Sequence, residues 1–94
     1  MTEKKYKIQL TKRFEKDLKR CKKRGFPMEK LKEVVRLLEE NGVLPQSYKS
    51  HKLSGKYDNL WECHLMPDWL LVWQQNDNEF IMLLISTGTH SDLF

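Results

Sequence analysis

Ninety-four residues, 39% hydrophobic and 32% charged, make one small domain over residues 1–94, with enough chain to bury a single core and little margin beyond it. No apolar run approaches the roughly 20 residues of a membrane span, and the leading MTEKKYK has no apolar stretch behind its charges, which argues against a secretory signal. Cys21 and Cys63 are too few and too distant for a disulfide framework or a paired CxxC zinc site, so a reduced, cytoplasmic chain is expected.

The net charge of +4 is unevenly spread. Residues 1–24 carry eleven Lys or Arg against Glu3, Glu15 and Asp17, whereas residues 25–94 carry six basic and ten acidic groups. Such a segment either draws a polyanion or is a solvated helix face that keeps the protein soluble.

In chain order, YKIQL (6–10) alternates as a short strand. Thr11 then suits a helix cap, and Phe14, Leu18 and Cys21 recur at i, i+4 and i+7, one stripe on a helix over 12–24. Gly25 ends that helix and Pro27 opens a second, with Met28, Leu31, Val34, Val35 and Leu38 on one face and Asn41-Gly42 as its stop. LPQSYKSHKLSG (44–55) leads into a short strand near His51–Leu53. NLWECHLM (59–66) alternates, with Trp61, Cys63 and Leu65 on one side and Leu60, Glu62, His64 and Met66 on the other. Pro67-Asp68 is a turn, WLLVWQQ (69–75) a strand, NDN (76–78) a hairpin turn, and EFIMLLIST (79–87) an inner strand apolar on both faces. These elements predict an α+β fold: two antiparallel N-terminal helices on one face of a twisted, mainly antiparallel sheet.

All three histidines, His51, His64 and His90, fall near strand ends or turns in the second half, and Asp68 sits at a hairpin tip. One topology brings the four to a concave edge of the sheet, opposite the helices. Singly, each has an ordinary reading as a surface histidine or a turn aspartate. Three imidazoles and a carboxylate also match a zinc shell in kind, but no pair has compact ligand spacing such as HxxxH, and no metal or other cofactor is expected.

YKSHKLSG, WECHLMPDWLLVW and TGTHSDLF, in that order after a basic helix pair, resemble the YafQ branch of the RelE/ParE toxin superfamily. The likeness covers the whole chain in layout and is specific in those three segments. It implies a ribosome-dependent endoribonuclease that cuts messenger RNA. It also implies inhibition by a cognate RelB- or DinJ-like antitoxin, through which the protein reaches operator DNA. By the same resemblance, His51, His64, Asp68 and His90 match the catalytic cluster, with Trp69 and Phe94 as supporting aromatics. The resemblance turns Lys12, Arg13, Lys16, Lys19, Arg20, Lys22, Lys23 and Arg24 into an expected ribosomal RNA footprint.

Metal-free RNA cleavage needs a base for the 2′-hydroxyl proton, an acid for the departing 5′-oxygen and positive charge near the phosphorane oxygens. Imidazole can fill either proton role near neutral pH. His90 with either His51 or His64 is the expected acid–base pair, and Asp68 either orients an imidazole or serves as base. Where many relatives place an arginine before the T-G-T-H run this chain has Ser86, and no arginine follows Arg36. The charge then falls to Lys49, Lys52, Lys56 or a protonated histidine, with Lys52 as the candidate substitute. The residues also admit two other readings: a ParE-like gyrase poison, or a non-catalytic RNA-binding module.

Overall fold

A computed structural model describes residues 4–57 and 59–94; residues 1–3, the start of the charged N-terminal stretch, lie outside them. The elements are β1 (Lys7–Leu10), α1 (Lys12–Lys23), α2 (Met28–Asn41), β2 (His51–Lys52), β3 (Leu60–Met66), β4 (Trp69–Asn76), β5 (Ile81–Gly88) and a final turn α3 (His90–Leu93). They form an α+β fold around a five-stranded sheet of order β1-β5-β4-β3-β2, antiparallel except for the parallel β1–β5 pair.

The main core lies on the helix side of the sheet. Phe14 and Cys21 of α1 and Leu31, Val34 and Leu38 of α2 pack with Cys63, Trp69, Leu71, Trp73, Met82 and Leu84. Thr11 caps α1 as the sequence predicts, its hydroxyl accepting the Phe14 N–H at 3.0 Å. Gly42 closes α2 at φ 73°, a left-handed cap that glycine adopts freely, and the Tyr6 ring fills the space a Cβ would occupy.

Strand β5 runs on past the end of β1, so its outer backbone groups need other partners. Helix α1 supplies them. Thr11 Oγ1 lies within 3.1 Å of the Leu84 and Ile85 carbonyls, Asp17 Oδ2 accepts the Thr87 N–H at 3.1 Å, and Arg20 Nη2 donates to the Thr87 carbonyl at 3.3 Å. That is why Asp17 is buried on a helix whose apolar stripe did not include it.

Two boundaries differ from the sequence reading. The β4–β5 turn is wider than NDN: Asn76 Oδ1 accepts the N–H groups of Asn78 and Glu79, Phe80 takes φ 56°, and β5 starts only at Ile81. The H-S-D-L segment forms a helical turn under a Thr89–Asp92 capping box, too short to show periodicity.

Candidate active site

Sheet register assembles the site. Leu70 stands opposite Gly88 on β5, and the same antiparallel register carried two residues further sets Asp68 across from His90. His64 faces Leu70 from β3, and His51 faces Glu62 from β2. Residues directly opposite share a face, as do residues two apart. Glu62, His64, Leu70, Val72 and Ser86 therefore line the side away from the helices.

The four predicted residues meet there. Asp68 Oδ1 lies 2.6 Å from His90 Nδ1 and accepts the His90 backbone N–H at 3.0 Å. The His90 and His64 ring centroids are 5.9 Å apart, and those of His64 and His51 are 6.5 Å apart. The His90 N–H, and then its ring, hold the Asp68 carboxyl below the usual carboxylate range, so it carries charge at neutral pH. His51 Nδ1 lies 3.0 Å from the Lys49 carbonyl, and its Nε2 lies 3.3 Å from Glu62 Oε1. Among the described residues, no three His, Cys, Asp or Glu side chains converge as a metal-ligand group.

A latch holds the His90 segment. Asp92 Oδ2 accepts the Thr89 N–H at 2.9 Å and lies 2.7 Å from Arg24 Nη1, with Arg20 Nη2 at 3.9 Å. Arg24 is the main reason the Asp92 carboxyl falls to about 2. Gly88 leaves room for this arrangement, since a Cβ there would meet Asp92 and Arg20 at 2.9–3.0 Å.

The supporting residues divide. Phe94 is exposed and meets Tyr57 edge-on at 5.3 Å, with Lys56 Nζ 5.4 Å from the Tyr57 ring, forming a cationic, aromatic rim one helical turn beyond His90. Trp69 is buried on the helix side against Phe26, out of reach of a substrate. Its Nε1 donates to Thr87 Oγ1 at 2.9 Å and that hydroxyl donates to the Leu70 carbonyl at 2.7 Å, which ties β4 to β5 beneath Asp68 and His90. Lys52 corrects the sequence reading. As the neighbour of His51 on β2 it points to the other face, where it stands across from Trp61 with Nζ 5.7 Å from that ring.

The basic helix also divides. Lys12, Lys16, Lys19, Lys22 and Lys23 are exposed. Arg13 and Arg20 flank Asp17 at 3.8 and 3.1 Å, and Arg24 is committed to Asp92, so these arginines brace α1 and the tail as well as presenting charge. Sequence reasoning missed Asp92, although Thr89-x-x-Asp92 is a readable capping pattern. It also missed Glu62, which alternation had already placed on the face of His64, and Tyr57. Both cysteines are free and buried, and burial pushes the Cys63 thiol up to about 12, which leaves it inert at neutral pH.

Residues 6–94 match the family described as bacterial toxin of type II toxin–antitoxin system, YafQ. The chain is 36% identical over 88 residues to the mRNA interferase toxin YafQ of Escherichia coli K12, covering 93% of this chain and 94% of that protein. YafQ in the E. coli DinJ–YafQ toxin–antitoxin complex superposes with a TM-score of 0.87 at 35% identity, over 96% of this chain and 98% of that one. A metal-bound toxin from Helicobacter pylori superposes at 0.86 with 42% identity, over 95% and 99% of the two chains. The matched family, the sequence identity and the near-complete overlap of the folds agree: this chain belongs to the YafQ family of bacterial type II toxin–antitoxin toxins.

Proposed function

We propose that this protein is an mRNA interferase: a ribosome-dependent endoribonuclease toxin that cuts message with the RNA 2′-hydroxyl as nucleophile and thereby stops translation. The observation that carries the reading is the 2.6 Å Asp68–His90 contact with His64 and His51 aligned beside it. The activity named for the E. coli relatives supports the substrate class.

His64 takes the 2′-hydroxyl proton; among the described residues no hydrogen bond engages its ring. As the O2′–P bond forms and the P–O5′ bond breaks, His90 gives the Nε2 proton to the departing 5′-oxygen. Asp68 orients that imidazole through Nδ1 and stabilises the charge it bears as an acid. The products are a 2′,3′-cyclic phosphate and a 5′-hydroxyl. Phe94 and Tyr57 offer edges and faces against which an unstacked base can lie. These protein groups supply every proton transfer, so the reaction runs without a metal cofactor, and 1,10-phenanthroline leaves the rate unchanged. A chelator-sensitive rate restored by added zinc or copper would overturn that part.

The exposed lysines of α1 form the ribosomal RNA contact, which places the protein in the cytoplasm. A DinJ-like antitoxin holds the toxin inactive and connects it to operator DNA. An apolar cleft of about 670 Å³ between the helices, floored by Ile8, Leu10 and Leu84 and rimmed by Lys19 and Lys22, suits an amphipathic antitoxin segment with acidic flanks.

Primer extension on message from cells expressing the protein tests the reading. Discrete cuts that require translation of the message are expected. Uncut message would leave an RNA-binding module without nuclease activity.

A further inference from the structure

The catalytic reading leaves one buried carboxylate without a role. Glu62 is only 6% exposed, stands directly across from His51, and brings Oε1 to 3.3 Å from His51 Nε2. The other ring nitrogen, Nδ1, lies 3.0 Å from the Lys49 carbonyl. A backbone carbonyl and a carboxylate can only accept. A neutral imidazole has one N–H and would set its bare nitrogen against one of these acceptors, whereas the doubly protonated ring presents an N–H to each. A carboxylate this buried also calls for a partner cation. The neighbouring lysine does not serve, because Lys52 lies over Trp61 on the far face, and Arg20 and Arg24 are held by Asp17 and Asp92.

We propose that Glu62 is a positioning residue: it fixes His51 as a proton-bearing, cationic ring beside the scissile phosphate and removes it from the general-base role. The inference rests on the nuclease reading above and deepens it by separating the three imidazoles. His51 steadies charge on the phosphate, His64 is the base and His90 the acid. The His51 side chain is 49% exposed, so the ring is open to a substrate. The 3.3 Å contact is longer than a full charge-assisted hydrogen bond of about 2.7–2.9 Å, so the fixed Nε2–H can be shared with a phosphate oxygen that approaches beside Glu62. With Ser86 on the floor of the site, a cationic His51 supplies positive charge on the same face.

Two measurements on wild type, Glu62→Gln and Glu62→Asp test it. Nitrogen-15 spectra of the histidine rings at pH 7, taken on the toxin alone, read His51 directly. Both ring nitrogens carry a proton in the wild type and in Glu62→Asp, and one is bare in Glu62→Gln. In cleavage of ribosome-bound message, Glu62→Gln lowers kcat by about 10- to 100-fold with KM within about twofold, and Glu62→Asp recovers most of the loss. A wild-type spectrum with a single N–H on His51 overturns the proposal, and so does a folded Glu62→Gln protein with wild-type kcat. Should Glu62→Gln fail to fold, the wild-type spectrum still decides. If the wild-type protein cuts no message, the nuclease reading falls and the catalytic part of this proposal falls with it; the ring spectra still report whether Glu62 fixes His51.

Discussion

Asp68 and His90, 22 positions apart in the chain, meet through a single oxygen: Asp68 Oδ1 binds both the backbone N–H and the ring Nδ1 of His90. The contact fixes the imidazole and the loop that carries it. Asp68→Asn still offers an oxygen to the backbone N–H but loses the charge beside the ring. It should lower single-turnover cleavage by about 100-fold while the far-UV spectrum stays native. A rate within threefold of wild type would remove Asp68 from the chemistry.

The Arg24–Asp92 latch makes a prediction about acid stability. The Asp92 carboxyl sits at about 2 in the folded protein, below the ordinary 3.8. Because the folded value is depressed, its contribution to stability is fully present above roughly pH 4 and is lost as pH falls through 2. Asp92→Asn should therefore melt a few degrees below wild type at pH 7, and the two melting curves should converge toward pH 2. Cleavage should drop more than tenfold in the same variant, since the Thr89–Asp92 cap orients His90. A constant gap in melting temperature across the pH range would show that the ion pair contributes nothing.

Lys52 is expected to be dispensable for chemistry. It lies on the opposite face from His51, above Trp61. Lys52→Ala should leave kcat within about twofold. A tenfold loss would mean that the strand turns over on the ribosome and would return Lys52 to the phosphate.

Salt dependence separates the two kinds of basic residue on α1. Binding to ribosomes should weaken steeply as salt rises. Replacing Lys12, Lys16 and Lys23 with Gln should flatten the log–log slope by roughly one for every phosphate that is no longer neutralised. Arg24→Gln should instead lower thermal stability, because its guanidinium is 2.7 Å from Asp92. A flat salt response in the wild type would assign the lysines to solubility alone.

Much of the fold and the site is legible in the residues themselves. Thr11, the Phe14–Cys21 stripe and the Asn41-Gly42 stop locate the helices because capping and periodicity are local signals. The expected pairing of the 69–75 strand with the strand that leads to His90 makes the meeting of Asp68 and His90 foreseeable, since antiparallel register carries one toward the other. What escapes depends on partners far away in sequence. The buried position of Asp17 follows from a β5 edge left open where β1 ends, and the commitment of Arg24 follows from the tail folding back onto α1. The partnership of Glu62 with His51 needs the β2–β3 register, which a two-residue strand does not announce. The outward turn of Lys52 is legible in alternation alone, because neighbours on a strand face opposite ways and His51 takes the site face.

The most direct test of the account is the cleavage rate of purified His90→Ala protein on message held in a translating ribosome. A fall of at least about 100-fold, in a protein that still binds ribosomes and melts like wild type, is the predicted result. Cutting at the wild-type rate would contradict the proposal that His90 delivers the proton to the leaving oxygen.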